Sequence, residues 1–112
     1  MIGVADGVGG WANYHICSGK CSKFLCSKIG ELYEIDQERS LKDLLLDGVK
    51  ALTEADIEGS TTVVLAKLEY DQQQQTTVMH TLNLGDSAYM LLRPKVEDGD
   101  VELNKIFRSE EQ

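Results

Sequence analysis

"STTVVLAKLEYDQQQQTTVMHTLNLGD", residues 60–86, decides the fold class. Its first part is β-branched and runs into Asp71 and four glutamines. The second part alternates, with Val78, His80, Leu82 and Leu84 set against Met79, Thr81 and Asn83. Two such runs around a polar turn predict a β-hairpin, and place His80 among the core-facing positions. "AYMLLRP" (88–94) reads as a third strand closed by Pro94, "EDGD" as a turn, and "VELNKIF" (101–107) as a fourth.

Upstream the period changes. Phe24, Leu25, Ile29, Leu32 and Tyr33 fall on one face of a helix over 20–35. Gly30 weakens it by roughly 1 kcal/mol relative to Ala. Leu41, Leu44, Leu45, Val49 and Leu52 make the stripe of a second helix over 41–55, with Ser40 as N-cap and Asp43 in the first turn. "MIGVA" (1–5) reads as a short buried strand, and the glycine-rich 7–19 as loop. The order is strand, two helices, then an antiparallel meander. That is an α+β arrangement with helices on one sheet face.

The bulk numbers fit one small globular unit: 112 residues, 42% hydrophobic and 27% charged. A net charge of −8 argues against nucleic acid and anionic membrane as partners. No apolar run approaches the ~20 residues of a membrane span, and residues 1–11 lack the basic start and apolar core of a signal peptide. Cysteines 17, 21 and 26 are odd in number and clustered, a poor disulfide framework that points to a reducing compartment. With no CxxC pair and both histidines remote, they read as small helix residues rather than a zinc site. Neither terminus has the polar, mobile character of a domain edge.

Chemistry is concentrated in "GVADGVGGWANY", residues 3–14. A carboxylate at the end of an apolar strand needs a compensating partner, and no Lys or Arg occurs before Lys20. A cation held by the Asp6 carboxylate and the Gly7 carbonyl supplies one; hard oxygen ligation suits Mg2+, Mn2+ or Ca2+. Asp-Gly is equally a common turn dipeptide with no chemistry attached. Gly7-Val8-Gly9-Gly10-Trp11-Ala12 also satisfies the pattern of a dinucleotide loop. Asp6 would repel a pyrophosphate there, and the alternating βαβ units such a loop requires are missing. A second candidate is "NLGDS", 83–87, where another apolar strand runs into Gly85-Asp86.

Together these segments resemble the metal-dependent protein phosphatases, the type 2C or PPM family, and within it the subgroup whose motif reads ADGVGGW. "EGSTTVVLAKLE" is similar to that family's G-S-T strand, "HTLNLGDSAYMLLR" to its A-N-x-G-D-S hairpin, and "FRSEEQ" to the run that follows. The resemblance implies an α-β-β-α sandwich of two antiparallel sheets flanked by helices. It implies hydrolysis of phosphoserine and phosphothreonine in protein substrates by a water activated between two Mg2+ or Mn2+ ions, without a phosphoenzyme. By resemblance, Asp6 matches the carboxylate bridging both metals, Gly7 the carbonyl ligand of one, and Asp86 the acid of a third, weaker position. Gly9, Gly10 and Trp11 match structural positions.

The sequence also departs from the family. Many members carry a His after Asp-Gly as a proton donor; here Val8 stands there, and neither His15 nor His80 replaces it safely. The family's upstream acidic and basic residues, and the two downstream aspartates that complete the dimetal site, have no counterpart. Asp98-Gly99 falls in a polar turn and takes no metal role. One carboxylate and one carbonyl cannot fill two near-octahedral shells. The expectation is therefore a partial phosphatase domain over 1–112, inactive alone and prone to aggregate through uncovered sheet faces. The alternative is a degenerate phosphatase-like module that binds proteins.

Overall fold

The computed structural model describes residues 1–110; Glu111 and Gln112, the end of the "FRSEEQ" run, lie outside the described residues. Strand β1 (Ile2–Val4) is followed by a 3-10 helix (Gly9–Tyr14), helices α1 (Ser18–Ile35) and α2 (Leu41–Glu54), and strands β2 (Val63–Asp71), β3 (Thr76–Leu84), β4 (Met90–Glu97) and β5 (Asp100–Arg108). The fold class is α+β, with two antiparallel sheets and a helical layer. No helix among the described residues is long and apolar enough to cross a membrane.

The helices form where the apolar stripes lie. Ser40 caps α2, its hydroxyl accepting from the Asp43 N–H at 3.1 Å. α1 starts two residues earlier than the stripe predicts, and part of the expected 7–19 loop winds into the 3-10 helix. Leu25 and Ile29 of α1, Leu41, Leu44 and Leu45 of α2, and Val63 and Leu65 of β2 make one buried core. Burying a leucine there stabilises by about 1.5–3 kcal/mol. Among the cysteines only Cys21 is buried; Cys17, Cys26 and Cys21 are all free thiols.

The first sheet has the order β1-β2-β3, with Val63 opposite Leu84 and Asp71 opposite Thr76 in the predicted hairpin. Asp71 sets its turn by accepting from the Gln73 and Gln74 N–H groups at 2.9 and 3.3 Å. The helices cover only one face of this sheet, the one carrying Val63, Leu65 and Lys67. Lys67 is 6% exposed, and its Nζ donates to the Arg39 carbonyl at 2.8 Å and the Gln37 carbonyl at 3.4 Å, fastening the α1–α2 connection to the sheet.

Four expectations change. The opening strand is not buried: Ile2 and Val4 are 75% and 62% exposed. They lie opposite Ala66 and Val64, on the face the helices leave bare. His80 is not a core histidine either. The helical layer ends over its neighbour Lys67, so His80 meets solvent and its Nε2 lies 3.1 Å from a Glu69 carboxylate oxygen. The strands form no single meander, because β4 and β5 pair only with each other. Finally, Pro94 does not close β4; it pairs opposite Leu103 and the strand continues to Glu97. Each strand of a two-stranded sheet has an open edge, where a residue without an N–H costs no ladder bond.

The β4–β5 hairpin turns at Asp98 and Gly99, both at positive φ (51° and 82°). Val96 pairs with Val101 and Pro94 with Leu103, giving an apolar face; Lys95 pairs with Glu102 and Arg93 with Asn104 on the other. The apolar face is uncovered, with Val96 68%, Val101 66% and Leu103 60% exposed.

Candidate functional site

The segments singled out in the sequence meet at one end of the three-stranded sheet, after β1, before β2 and after β3. Leaving β1, the Asp6 carbonyl accepts from the Thr62 N–H at 3.0 Å, and the Val8 N–H donates to the Ser60 carbonyl at 3.0 Å. Gly7 forms a bridge with Thr61 between these bonds. The Trp11 indole N–H donates to the Ser60 hydroxyl at 2.8 Å. The "ADGVGGW" and "GSTT" segments are thus stitched together by both backbone and side chain.

The third segment joins through Thr62, whose hydroxyl lies 2.7 Å from that of Ser87. Asn83 donates from Nδ2 to the Ser87 carbonyl at 2.7 Å and to the Glu110 carbonyl at 3.0 Å. Its Oδ1 is buried without a partner among the described residues. The Tyr89 N–H donates to the Ser109 hydroxyl at 2.8 Å, and the Ser109 N–H returns to the Tyr89 carbonyl at 3.0 Å. The Tyr89 hydroxyl lies 2.7 Å from that of Thr81. The turn that carries Asp86 is therefore held from both sides: by β3 through Asn83 and by the segment after β5 through Ser109.

Two glycines make this approach possible. A Cβ on Gly7 would stand 1.9 Å from the Ser18 carbonyl oxygen, at the first turn of α1. Gly85 sits at φ +103°, and a Cβ there would stand 2.8 Å from the Thr62 methyl. Neither position admits a side chain without moving its neighbour.

Asp6 and Asp86 are both exposed and Gly7 is partly buried. Asp6 and Ser87 line one cavity of about 630 Å³ between the bare sheet face and residues 87–91; its remaining walls include Ile2, Val64, Met79 and Met90. Asp86 is not among its lining residues. Burial pushes the Cys21 thiol up. The hydrogen bond to Asp47 holds the Arg39 guanidinium above its usual value, against a smaller opposing desolvation.

The donor set decides what the site can hold. Asp6 offers a carboxylate to the cavity, in the chemistry of a hard divalent ion. Among the described residues, however, no group of three or more His, Cys, Asp or Glu side chains stands together as metal ligands would. These residues do not fit two divalent ions by themselves. Sequence reasoning singled out Asp6 and Asp86 as candidates but not the hydrogen bonds that join their segments. Thr62, Asn83, Ser87 and Ser109 are ordinary polar residues whose only signal was that each lies within or beside a recognisable motif.

No family model matches the chain, and no solved structure matches it. Curated proteins do. Protein phosphatase PTC7 homolog fig of Drosophila grimshawi is 40% identical over 97 residues, covering 82% of this chain and 30% of that protein. The protein of the same name from Drosophila sechellia is 36% identical over 98 residues, covering 83% and 30%. That from Drosophila ananassae is 33% identical over 117 aligned positions, covering 100% of this chain and 31% of its own length. The chain spans about 30% of the length of the curated relatives it matches.

Proposed function

We propose that this chain, homologous over most of its length to part of the PTC7-type protein phosphatases, carries one portion of a metal-dependent phosphoserine and phosphothreonine phosphatase site. In this reading Asp6, the Gly7 carbonyl and Asp86 are ligands, Mg2+ or Mn2+ is the cofactor, and phosphorylated proteins are the substrates. A divalent metal held there would supply an activated water and neutralise phosphate charge. The chain's own part is to hold the Asp6 backbone, Thr62 and Ser87 in a fixed relation beside the cavity. Because the described residues cannot complete two metal shells, catalysis requires further acidic ligands from the polypeptide in which this segment works.

One observation carries the reading. The segments that resemble separate phosphatase motifs are hydrogen-bonded to one another at a single end of the sheet, through Asp6 to Thr62 at 3.0 Å and Thr62 to Ser87 at 2.7 Å. Antiparallel pairing alone brings three such strand ends together; the side-chain bonds from Trp11 to Ser60 and between Thr62 and Ser87 are what tie the motifs to one another beyond it. The test is hydrolysis of a phosphothreonine peptide with Mn2+ by the complete protein. Asp6→Asn is expected to lower turnover by about 100-fold or more, and the 112-residue chain alone to show none. Unchanged turnover in Asp6→Asn refutes the ligand assignment. Turnover by the chain alone refutes the need for further ligands.

A second reading, a degenerate phosphatase-like module that binds proteins, is favoured by the lack of a metal-binding cluster among the described residues. Mn2+ titration of the complete protein separates the two: micromolar binding lost in Asp6→Asn belongs to the enzyme, and no binding belongs to the module.

A further inference from the structure

The 3-10 helix that follows Asp6, Gly7 and Val8 is weakly held by packing. None of its residues is buried, and a Cβ on Gly9 or Gly10 would meet nothing within 4 Å. One residue ties it to the sheet. The Ser60 carbonyl accepts from the Val8 N–H at 3.0 Å, and the Ser60 hydroxyl accepts from the Trp11 indole N–H at 2.8 Å. Among the described residues, the other hydrogen bonds of residues 8–14 stay within the segment or reach only His15 and Ile16. Ser60 stands on the rigid side of this contact: Thr61 bridges Gly7, and Val63, three positions on, is 1% exposed in the core.

We propose that Ser60 is a positioning residue for the hydrolysis: its hydroxyl, through Trp11, keeps the Asp6-Gly7 corner in one conformation beside the cavity. The backbone pairing that leaves β1 runs from Asp6 with Thr62, through Gly7 with Thr61, to Val8 with Ser60, and ends there. The corner is thus the last part of the ladder, where fraying begins. The Trp11–Ser60 bond closes that end three residues further on. α1 already bounds the corner on its other side, where Gly7 lies against the Ser18 carbonyl. Ser60 is not among the residues lining the cavity that Asp6 lines, so it acts through Trp11 and does not touch the substrate. The inference rests on the phosphatase reading for what Asp6 does, but not for what holds it.

The experiment uses the complete protein, a phosphothreonine peptide and Mn2+, with turnover counted per folded molecule. Ser60→Ala is expected to lower kcat by about 3–10-fold, the worth of one net hydrogen bond, and to leave KM unchanged. Ser60→Thr keeps the hydroxyl and should keep most of the turnover. Trp11→Phe keeps a ring without the donor; it should match Ser60→Ala, and the double variant should lose no more than either alone. Hydrogen exchange across residues 8–14 should quicken in Ser60→Ala. Ser60 is exposed, so these changes leave the core untouched. An equal loss in Ser60→Thr and Ser60→Ala overturns the proposal, and so do losses that multiply in the double variant. Unchanged exchange in Ser60→Ala overturns the tether itself, whatever the chemistry. If Asp6→Asn abolishes turnover and Ser60→Ala spares it, the phosphatase reading stands and this proposal alone falls. Hydrolysis indifferent to Asp6→Asn overturns that reading, and the catalytic role of Ser60 with it.

Discussion

Gly7→Ala tests whether the Asp6-Gly7 corner is built by close approach to α1. The added methyl would stand 1.9 Å from the Ser18 carbonyl oxygen and 2.9 Å from its carbon. Ordinary contact begins at 3.4 Å, so about 1.5 Å of movement is required (3.4 − 1.9). The obstacle is backbone at the start of a helix whose Leu25 and Ile29 lie in the core, so the movement must strain either α1 or the Asp6 corner. Forcing extra atoms into packed surroundings costs typically 1–3 kcal/mol, and rigid backbone on one side places this case near the top, at about 3 kcal/mol. At roughly 4–8 °C per kcal/mol for a domain of this size, the melting midpoint should fall by about 12–24 °C. The control is Gly10→Ala, where a methyl meets nothing within 4 Å. Both are compared by urea unfolding and thermal melting in one polypeptide background. If Gly7→Ala unfolds within about 0.5 kcal/mol of Gly10→Ala, the usual scatter of innocuous surface changes, the close-approach argument fails.

Replacing Thr62 by Val and Ser87 by Ala, singly and together, should give a coupling of about 1 kcal/mol for their 2.7 Å contact; additive effects in urea titrations would mean the hydroxyls ignore each other. Lys67→Met should cost about 2 kcal/mol, because the buried ammonium serves the Arg39 and Gln37 carbonyls, and the loosening should appear as faster hydrogen exchange in the α1–α2 connection. Maleimide should label Cys17 and Cys26 in the folded chain and reach Cys21 only on unfolding. Burial raises the Cys21 pKa above its ordinary 9.0, so the folded state holds that proton more tightly; its contribution is complete below pH 9 and is lost as pH rises through the folded value. The isolated chain should bind an apolar dye and elute as more than a monomer, since two sheet faces carry exposed valine, leucine and isoleucine; a monomeric elution volume without dye binding would refute this.

Much of this molecule was legible because local signals and tertiary packing agree. The Ser40 cap and the Asp71 turn are each set by residues close in sequence and form as read, and so does the α2 stripe except at Val49, which is 40% exposed. The errors share one cause. Apolar alternation identifies a strand but not which of its faces will be covered. Ile2, Val4, Leu68 and Tyr70 look like core and are exposed, because only one layer of helices lies against the sheet. His80 shares the covered face of Lys67, yet the helical layer stops one position short of it. Pro94 reads as a stop only if its strand has neighbours on both sides, and a two-stranded hairpin never imposes that condition.

The candidate site divides along the same line. Asp6, Gly7 and Asp86 could be named from motifs, because a carboxylate at the end of an apolar run is conspicuous by itself. The scaffold could not. Thr62 is joined to Asp6 through a backbone N–H and to Ser87 through its hydroxyl, across 56 and 25 positions of sequence. Nothing about a threonine at the start of a strand announces either bond. Asn83 shows the difference most sharply. Its Nδ2 holds the Ser87 and Glu110 carbonyls, two bonds that neither its place in the alternation nor its match to the A-N-x-G-D-S hairpin reveals. Among the described residues its Oδ1 is buried and meets no partner, so what the side chain supplies there is the pair of bonds from Nδ2. The legible part of the site is thus its charge, and the illegible part is the neutral hydrogen-bonding network that gives the charge a position.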